Sequence, residues 1–316
     1  MTSVLKVLSP GLQTTIQAGP RRGHRHLGVP ACGAADIVSL ALANALVGNA
    51  WDAPGLEIAL AGARFEALAS ACVAVTGAPC EVALGGTPAS HHDALWLRAG
   101  EVLEVGPARL GCRTYLAVAG GFVGEEAFGS TSTYLPAGFG GLSGRALREG
   151  DRLHGAPGRD ASPGTETPPA LRAPFTRSWT LRATVGPEAD VFGRDTIAPL
   201  FGEGWHASRA ADRTGIRLDG PALPRSGDAG MDSVAVLPGT VQLPPGGAPI
   251  LLGVDGGTTG GYPRAAQVIR ADRHLLGQVR PGDAVRLLRW KAADAVRVLA
   301  QKEAMLRAHV GSAFRL

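Results

Sequence analysis

A mostly β fold in two parts is predicted by three features of this sequence. Glycine (45 residues) and proline (23 residues) punctuate short apolar runs along 316 residues, the pattern of strands joined by tight turns. In the first half these runs recur roughly every ten residues, the spacing of a β-barrel or sandwich. Residues 155–174 read G-A-P-G-R-D-A-S-P-G-T-E-T-P-P-A-L-R-A-P. That stretch nearly lacks large apolar side chains and reads as a linker. The expected division is an N-terminal β lobe over 1–154, a linker over 155–176, a C-terminal β lobe over 177–290 and a helical tail over 291–316.

Taken in order, residues 4–8 form a first strand, stopped by Ser9-Pro10-Gly11, and 14–17 a second that enters a Gly/Arg/His loop through Pro30. A helix opens at Ala34-Ala35-Asp36, with Asp36 as its cap. Ile37, Leu40, Ala41, Ala43, Leu46 and Val47 follow at helical spacing and Gly48-Asn49 ends it. Strands are expected at 56–60, 72–76, 80–84, 94–97, 102–105 and 114–119. The second half predicts strands at 179–185, 215–218, 240–243, 266–269 and 284–288, with a short helix near 187–201. From about Lys291 to Val310, Val296, Leu299, Leu306 and Val310 fall at helical spacing.

The chain is 45% hydrophobic and 18% charged, enough to bury a core. Its net charge of +4 comes from scattered arginines, and lysine occurs only at Lys6, Lys291 and Lys302. Without a basic cluster beside stacking aromatics, a nucleic-acid surface is not expected. Cys32, Cys72, Cys80 and Cys112 lack metal-ligand spacing and read as free thiols. No run reaches the length of a membrane span and the N-terminus has no apolar leader core, so a soluble cytoplasmic protein is expected.

Residues 249–263 stand out: P-I-L-L-G-V-D-G-G-T-T-G-G-Y-P. A buried strand leads into four glycines within residues 256–261. Such a loop can adopt positive φ and turn consecutive N–H groups toward an anion, or it can be a tight corner where backbone approaches backbone. Other chemistries lack support. Residues 124–131 (G-E-E-A-F-G-S-T) imitate a phosphate loop but place Ser130 where a lysine is required. There is no G-x-S-x-G elbow. His24 and His26, on one face of an expected strand, and His91-His92-Asp93 read as surface groups, and no metal site is expected. Met231 and Met305 have no adjacent lysine, so biotin is not carried on this chain.

Several stretches resemble one family nearly end to end. They include Pro10-Gly11-Leu12-Gln13-Thr14-Thr15-Ile16-Gln17, His26-Leu27-Gly28-Val29-Pro30, Gly33-Ala34-Ala35-Asp36, Glu57 and Tyr115-Leu116-Ala117-Val118-Ala119-Gly120-Gly121. The later ones are Gly129-Ser130-Thr131-Ser132-Thr133-Tyr134, Gly144-Arg145, Asp212-Arg213-Thr214-Gly215, Thr258-Thr259-Gly260-Gly261-Tyr262-Pro263 and Arg280-Pro281-Gly282-Asp283. The family is that of allophanate hydrolase subunit 2, the biotin-dependent carboxyltransferase-like or KipA family, which takes in the C component of ATP-dependent 5-oxoprolinases. The resemblance covers about residues 4–288. It implies two cyclophilin-like β-barrel lobes with a cleft between them, and two partners, a KipI-like B component and a LamB/YcsF-type A component. It further implies ATP at the level of the complex, which would hydrolyse 5-oxo-L-proline to L-glutamate. Family members also act as regulatory binding subunits or as carboxyltransferase components for urea-type small amides.

Under that resemblance, Thr258, Thr259, Gly260 and Gly261 are expected to hold a carboxylate or amide oxygen, with Tyr262 as wall or donor. Ser130, Ser132 and Thr133 form a second polar loop. Arg145 and Arg213 would neutralise an anion, and Asp212 would position Arg213 or act as a base. Equally, Arg145 and Arg213 could be ion-pair partners of Asp151 and Asp219. Replacing Arg213 with Ala is expected to abolish activity of the complex and spare the fold. Two departures from the family accompany these residues: Ala18 follows Gln17 where the family has Asp, and Gly256-Gly257 follow Asp255.

Overall fold

The computed structural model describes residues 2–155, 166–192, 194–202, 204–221, 223 and 231–316. Residues 156–165 of the expected linker lie outside the described residues. By internal contacts the chain divides into two units. The first comprises Met1–Arg21, Cys32–Phe175 and Glu303–Arg315, and the second Arg22–Ala31, Thr176–Lys302 and Leu316.

The first unit contains β1 (Thr2–Ser9), β2 (Gln13–Gln17), α1 (Ile37–Leu46), β3 (Gly55–Ala59), β4 (Ala63–Ala67), β5 (Ala71–Gly77) and β6 (Val82–Leu84). It continues with β7 (Thr87–Ala89), β8 (Ala94–Leu97), β9 (Val102–Val105), β10 (Arg113–Val118) and β11 (Arg152–Gly155). These form a six-stranded sheet, β11-β1-β4-β9-β6-β7, and a five-stranded sheet, β2-β3-β10-β5-β8. Alternate residues of both sheets, among them Leu5, Val7, Phe65 and Leu103 from one and Leu56, Ile58, Val73, Val75 and Leu116 from the other, share a single core.

The opposite parity of β5 and β10 faces helix α1, where Cys72, Ala74 and Ala117 meet Ala43, Leu46 and Val47. Small residues let the helix lie close on the sheet. Asp36 caps it as expected, accepting from Ser39 N (3.0 Å) and from Ser39 Oγ (2.6 Å). Glu57 anchors the entry to this helix: its Oε2 accepts from Ala35 N and from Tyr115 Oη, each at 2.8 Å, and its Oε1 from Arg113 Nε at 3.1 Å. Tyr115 Oη also accepts from Asp36 N at 2.8 Å.

The second unit holds β12 (Ser178–Val185), α2 (Arg194–Gly202), β13 (Gly204–Ala211), β14 (Gly215–Asp219), β15 (Val234–Ala235) and β16 (Thr240–Gln242). After these come β17 (Ile250–Leu252), β18 (Thr259–Gly260), β19 (Arg264–Val268) and β20 (Ala284–Arg289). Seven of the strands close a barrel, β12-β19-β16-β17-β14-β13-β20, sealed where β20 pairs in parallel with β12. Strands β15 and β18 make a separate two-stranded ribbon. A nine-residue run of 3-10 turns, Arg270–Gln278, follows β19.

The last helix, α3 (Ala292–Val310), buries Leu306 and Val310 as its spacing predicts, whereas Val296 is exposed. His24 and His26 do not share a strand face, because Arg25–Leu27 is a 3-10 turn closed by left-handed Gly28. Nor is His92 a surface group: it is buried, with half-buried His91 packed edge-on against it. All four cysteines are free, and Cys80 alone is only half-buried. Among the described residues no helix is long and apolar enough to cross a membrane.

Candidate functional site

In the second unit, β17 leads into a loop that packs against the turn at 212–214. Gly253 N donates to the Thr214 carbonyl (2.8 Å) and Asp255 N to the Arg213 carbonyl (3.0 Å). A Cβ at Gly253 would lie 2.2 Å from that Arg213 oxygen, and one at Gly260 would lie 2.5 Å from Gln242 Nε2. None of Gly253, Gly256, Gly257, Gly260 or Gly261 has positive φ. Left-handed backbone is therefore not what these glycines supply, and of the two readings of the loop the geometry is that of a tight corner rather than a nest, which needs alternating handedness. They permit close approach instead. Thr259 and Gly260 pair as β18 with β15, and the Thr258 carbonyl accepts from Val236 N at 3.0 Å. Thr259 is exposed, Thr258 and Gly261 are half-buried, and Tyr262 is 44% exposed. The ribbon thus presents hydroxyls and an aromatic ring outward.

Arg213 stands directly behind this loop. Its Nε donates to Asp255 Oδ2 (2.7 Å) and its Nη2 to Asp255 Oδ1 (3.0 Å), with both side chains buried. Its carboxylate partner is Asp255, not Asp219. Asp212 does not orient the Arg213 guanidinium through these bonds. It is exposed, and its Oδ1 accepts from Thr214 N (2.7 Å) and Gly215 N (3.1 Å), shaping the turn.

Ser130, Ser132, Thr133 and Arg145 belong to the first unit. Ser130 Oγ donates to the Gly19 carbonyl (2.7 Å), Ser132 Oγ accepts from Ala18 N (2.9 Å) and Thr133 Oγ1 donates to the Ile16 carbonyl (2.9 Å). These hydroxyls fasten 130–133 to the main chain at 16–19, and among the described residues the hydrogen bonds of the two serine hydroxyls go to main chain and to each other rather than to an activating base. Arg145 forms a two-toothed pair with Asp151 (2.7 and 2.9 Å), as one of its two expected roles required. Hydrogen bonding to Arg145 holds the Asp151 carboxyl below its ordinary value.

Three arginines that sequence reasoning passed over emerge as unusual. Arg21, almost fully buried, donates Nε to the Ala127 carbonyl (2.9 Å) and Nη2 to the Ser132 carbonyl, and lies 4.8 Å over the Phe139 ring. Its Nη1 is buried without a hydrogen-bond partner. In the second unit, Arg25 Nη2 donates to the Val236 carbonyl, beside the β15–β18 ribbon. Arg273 follows on the 3-10 run, its Nε buried without a partner. Burial, then the charges of Arg270 and Arg25, bring the Arg273 guanidinium down to about 10. Within the second unit Arg25, distant in sequence, comes near enough to Arg273 for its charge to act there, a signal that only the fold carries.

Comparison with known proteins gives these features a setting. A family described as "Carboxyltransferase domain, subdomain A and B" matches residues 27–289. The chain is 38% identical over 297 residues to the C-type subunit of 5-oxoprolinase from Escherichia coli strain K12, covering 93% of this chain and 94% of that one. It is 35% identical over 308 residues to the corresponding 5-oxoprolinase subunit of Haemophilus influenzae, covering 96% of each. Urea amidolyase of Saccharomyces cerevisiae is 31% identical over 306 residues, and the match spans only 16% of that longer chain. Among solved structures, the Kluyveromyces lactis urea carboxylase aligns with a TM-score of 0.91 at 27% identity, over all of this chain and 30% of that one. The chain belongs to the family of carboxyltransferase domains built from subdomains A and B.

Proposed function

We propose that this chain is the C-type subunit of an ATP-dependent 5-oxoprolinase complex that hydrolyses 5-oxo-L-proline to L-glutamate. The observation that carries this reading is the end-to-end match: 94% and 96% of the two bacterial 5-oxoprolinase subunits are covered. In this reading the chain acts with a KipI-like B component and a LamB/YcsF-type A component, and ATP is used by the complex. The ribbon at 258–262 contributes hydroxyl donors and the Tyr262 ring to a small lactam or its carboxylate. Arg213, Asp212 and Asp255 hold that ribbon in place from behind. Gathered arginines are suited to stabilising negative charge that develops on an amide oxygen.

A second reading is favoured by the 0.91 TM-score to urea carboxylase: a component that transfers carboxyl groups to a urea-type amide. One assay separates the two. The purified chain is mixed with its cognate KipI-like and LamB/YcsF-type partners, and ATP consumption is followed with and without 5-oxoproline. Turnover that requires 5-oxoproline is expected. Turnover that requires urea and a separately biotinylated protein would replace the first reading with the second. Stable assembly without any turnover would leave a regulatory binding role of the KipA type.

A further inference from the structure

We propose that the second unit carries a phosphoryl-type oxyanion site formed by Arg25 and Arg273, with Arg270 at its exposed edge. Two elements from distant parts of the sequence converge on the segment at 236–239. Arg25, on the 3-10 turn Arg25–Leu27, donates Nη2 to the Val236 carbonyl. Arg273, on the run Arg270–Gln278, lays its side-chain stem over Gly239, where an added Cβ would lie 3.2 Å from Arg273 Cγ. Gly239 has φ +82, so the space kept open for that stem depends on glycine.

Among the described residues no carboxylate pairs with the Arg273 guanidinium. The neighbouring carboxylate, Asp272, is committed to Arg182, accepting from its backbone N (3.0 Å), its Nε (2.8 Å) and its Nη2 (2.5 Å). The Arg273 Nε has no acceptor among the described residues. Arg270, which is exposed, donates Nε to the Leu316 carbonyl oxygen. Burial first, and then the like charges of Arg270 and Arg25, push Arg273 down.

Like charges held together in a partly buried place oppose folding unless something neutralises them. Planar guanidinium groups match the oxygens of phosphate in pairs of parallel hydrogen bonds. A dianion with three terminal oxygens can engage two guanidiniums at once and reach the buried Nε, whereas a single carboxylate would leave one arginine unmatched. Inorganic phosphate, the phosphate chain of a nucleotide and a phosphorylated substrate share this chemistry. The inference does not rest on the 5-oxoprolinase reading, because binding is measured on the isolated chain.

The test is thermal denaturation and titration calorimetry of the full chain with inorganic phosphate, ADP and ATP, each compared with chloride at matched ionic strength. Wild type should show saturable stabilisation by phosphate. Arg273→Gln and Arg25→Gln should each bind roughly tenfold more weakly or worse, Arg273→Lys should recover part of the affinity, and Arg98→Gln, at an exposed position of the first unit, should be unchanged. Tighter binding of nucleotides than of phosphate would identify the source as a nucleotide. Equal binding would identify a free phosphoryl group or a phosphorylated substrate. Absence of a saturable phosphate effect in wild type, or undiminished binding in both glutamine variants, would overturn the proposal. Because Arg25 sits on a short surface turn, its variant keeps the test decisive even if Arg273→Gln fails to fold.

Discussion

Arg213 shows how a residue singled out by its motif can owe its place to a partner the motif does not reveal. Its guanidinium and the Asp255 carboxylate are 6% and 2% exposed and meet through two bonds of 2.7 and 3.0 Å. Removing one member of such a pair leaves the other charged and buried. Arg213→Ala should therefore destabilise the second unit by about 3–5 kcal/mol, read as a fall in the urea midpoint. This replaces the expectation that the substitution would spare the fold. Arg213→Lys should be intermediate, since an ammonium cannot span both oxygens. Loss of activity in Arg213→Ala with an unchanged midpoint would return the residue to direct contact with substrate. Its partner was not legible in the sequence. Asp219 lies near in the chain, but Asp255, 42 residues away, is brought to it by the pairing of β14 with β17.

Among the elements, the connection between β7 and β8 makes the clearest statement about pH. Burial brings His91 down to about 4 and His92 to about 3, with Arg172 opposing protonation of both, His91 opposing that of His92, and the Thr76 backbone partly favouring that of His91. Folded, both rings are neutral at pH values where the unfolded chain, with an ordinary histidine value near 6.5, takes up protons. Stability is thus complete above about pH 6.5 and falls as pH drops toward the folded values, by about 1.5–2 kcal/mol per histidine between pH 6.5 and 5. His274 and His309, also lowered by burial, add the same sign. Urea midpoints at pH 7.5 and 5 should differ accordingly, and a His91→Asn, His92→Asn double variant should flatten the difference. An unchanged slope would place the acid sensitivity elsewhere. The strands that sequence reasoning found are those dense in large apolar residues, such as β5 and β10. It missed β4 (A-R-F-E-A), whose single large inward residue is Phe65, and β13, whose buried positions are Trp205, Ala207 and Ser208. The cap at Asp36 was legible because capping is local. The glycine loop was half legible: glycine permits both positive φ and close approach, and composition does not say which is used.

At the scale of the molecule, the β-rich character and the family motifs were readable from end to end, but the order of strands was not. The second unit's barrel closes between its first and last strands, β12 and β20, and no local pattern announces a pairing so distant. Asp283 shows what holds that closure. It is 2% exposed, and its Oδ2 accepts from Trp179 Nε1 on β12 (2.8 Å) and from Arg280 N (3.2 Å). Its main-chain oxygen accepts from Ala207 N on β13 at 2.9 Å. One carboxylate thus fixes the turn before β20 and ties β12 to it, while its backbone engages β13. Asp283→Ala would leave the buried Trp179 N–H without this acceptor and loosen the turn, at a cost of about 2–3 kcal/mol. Asp283→Asn keeps an acceptor oxygen and should lose less. Tryptophan fluorescence during urea unfolding reads the outcome, because Trp179 and Trp205 both lie in the barrel core. A midpoint for Asp283→Ala equal to wild type would show that strand pairing alone closes the barrel. A fall larger than that of Asp283→Asn would assign closure to the carboxylate.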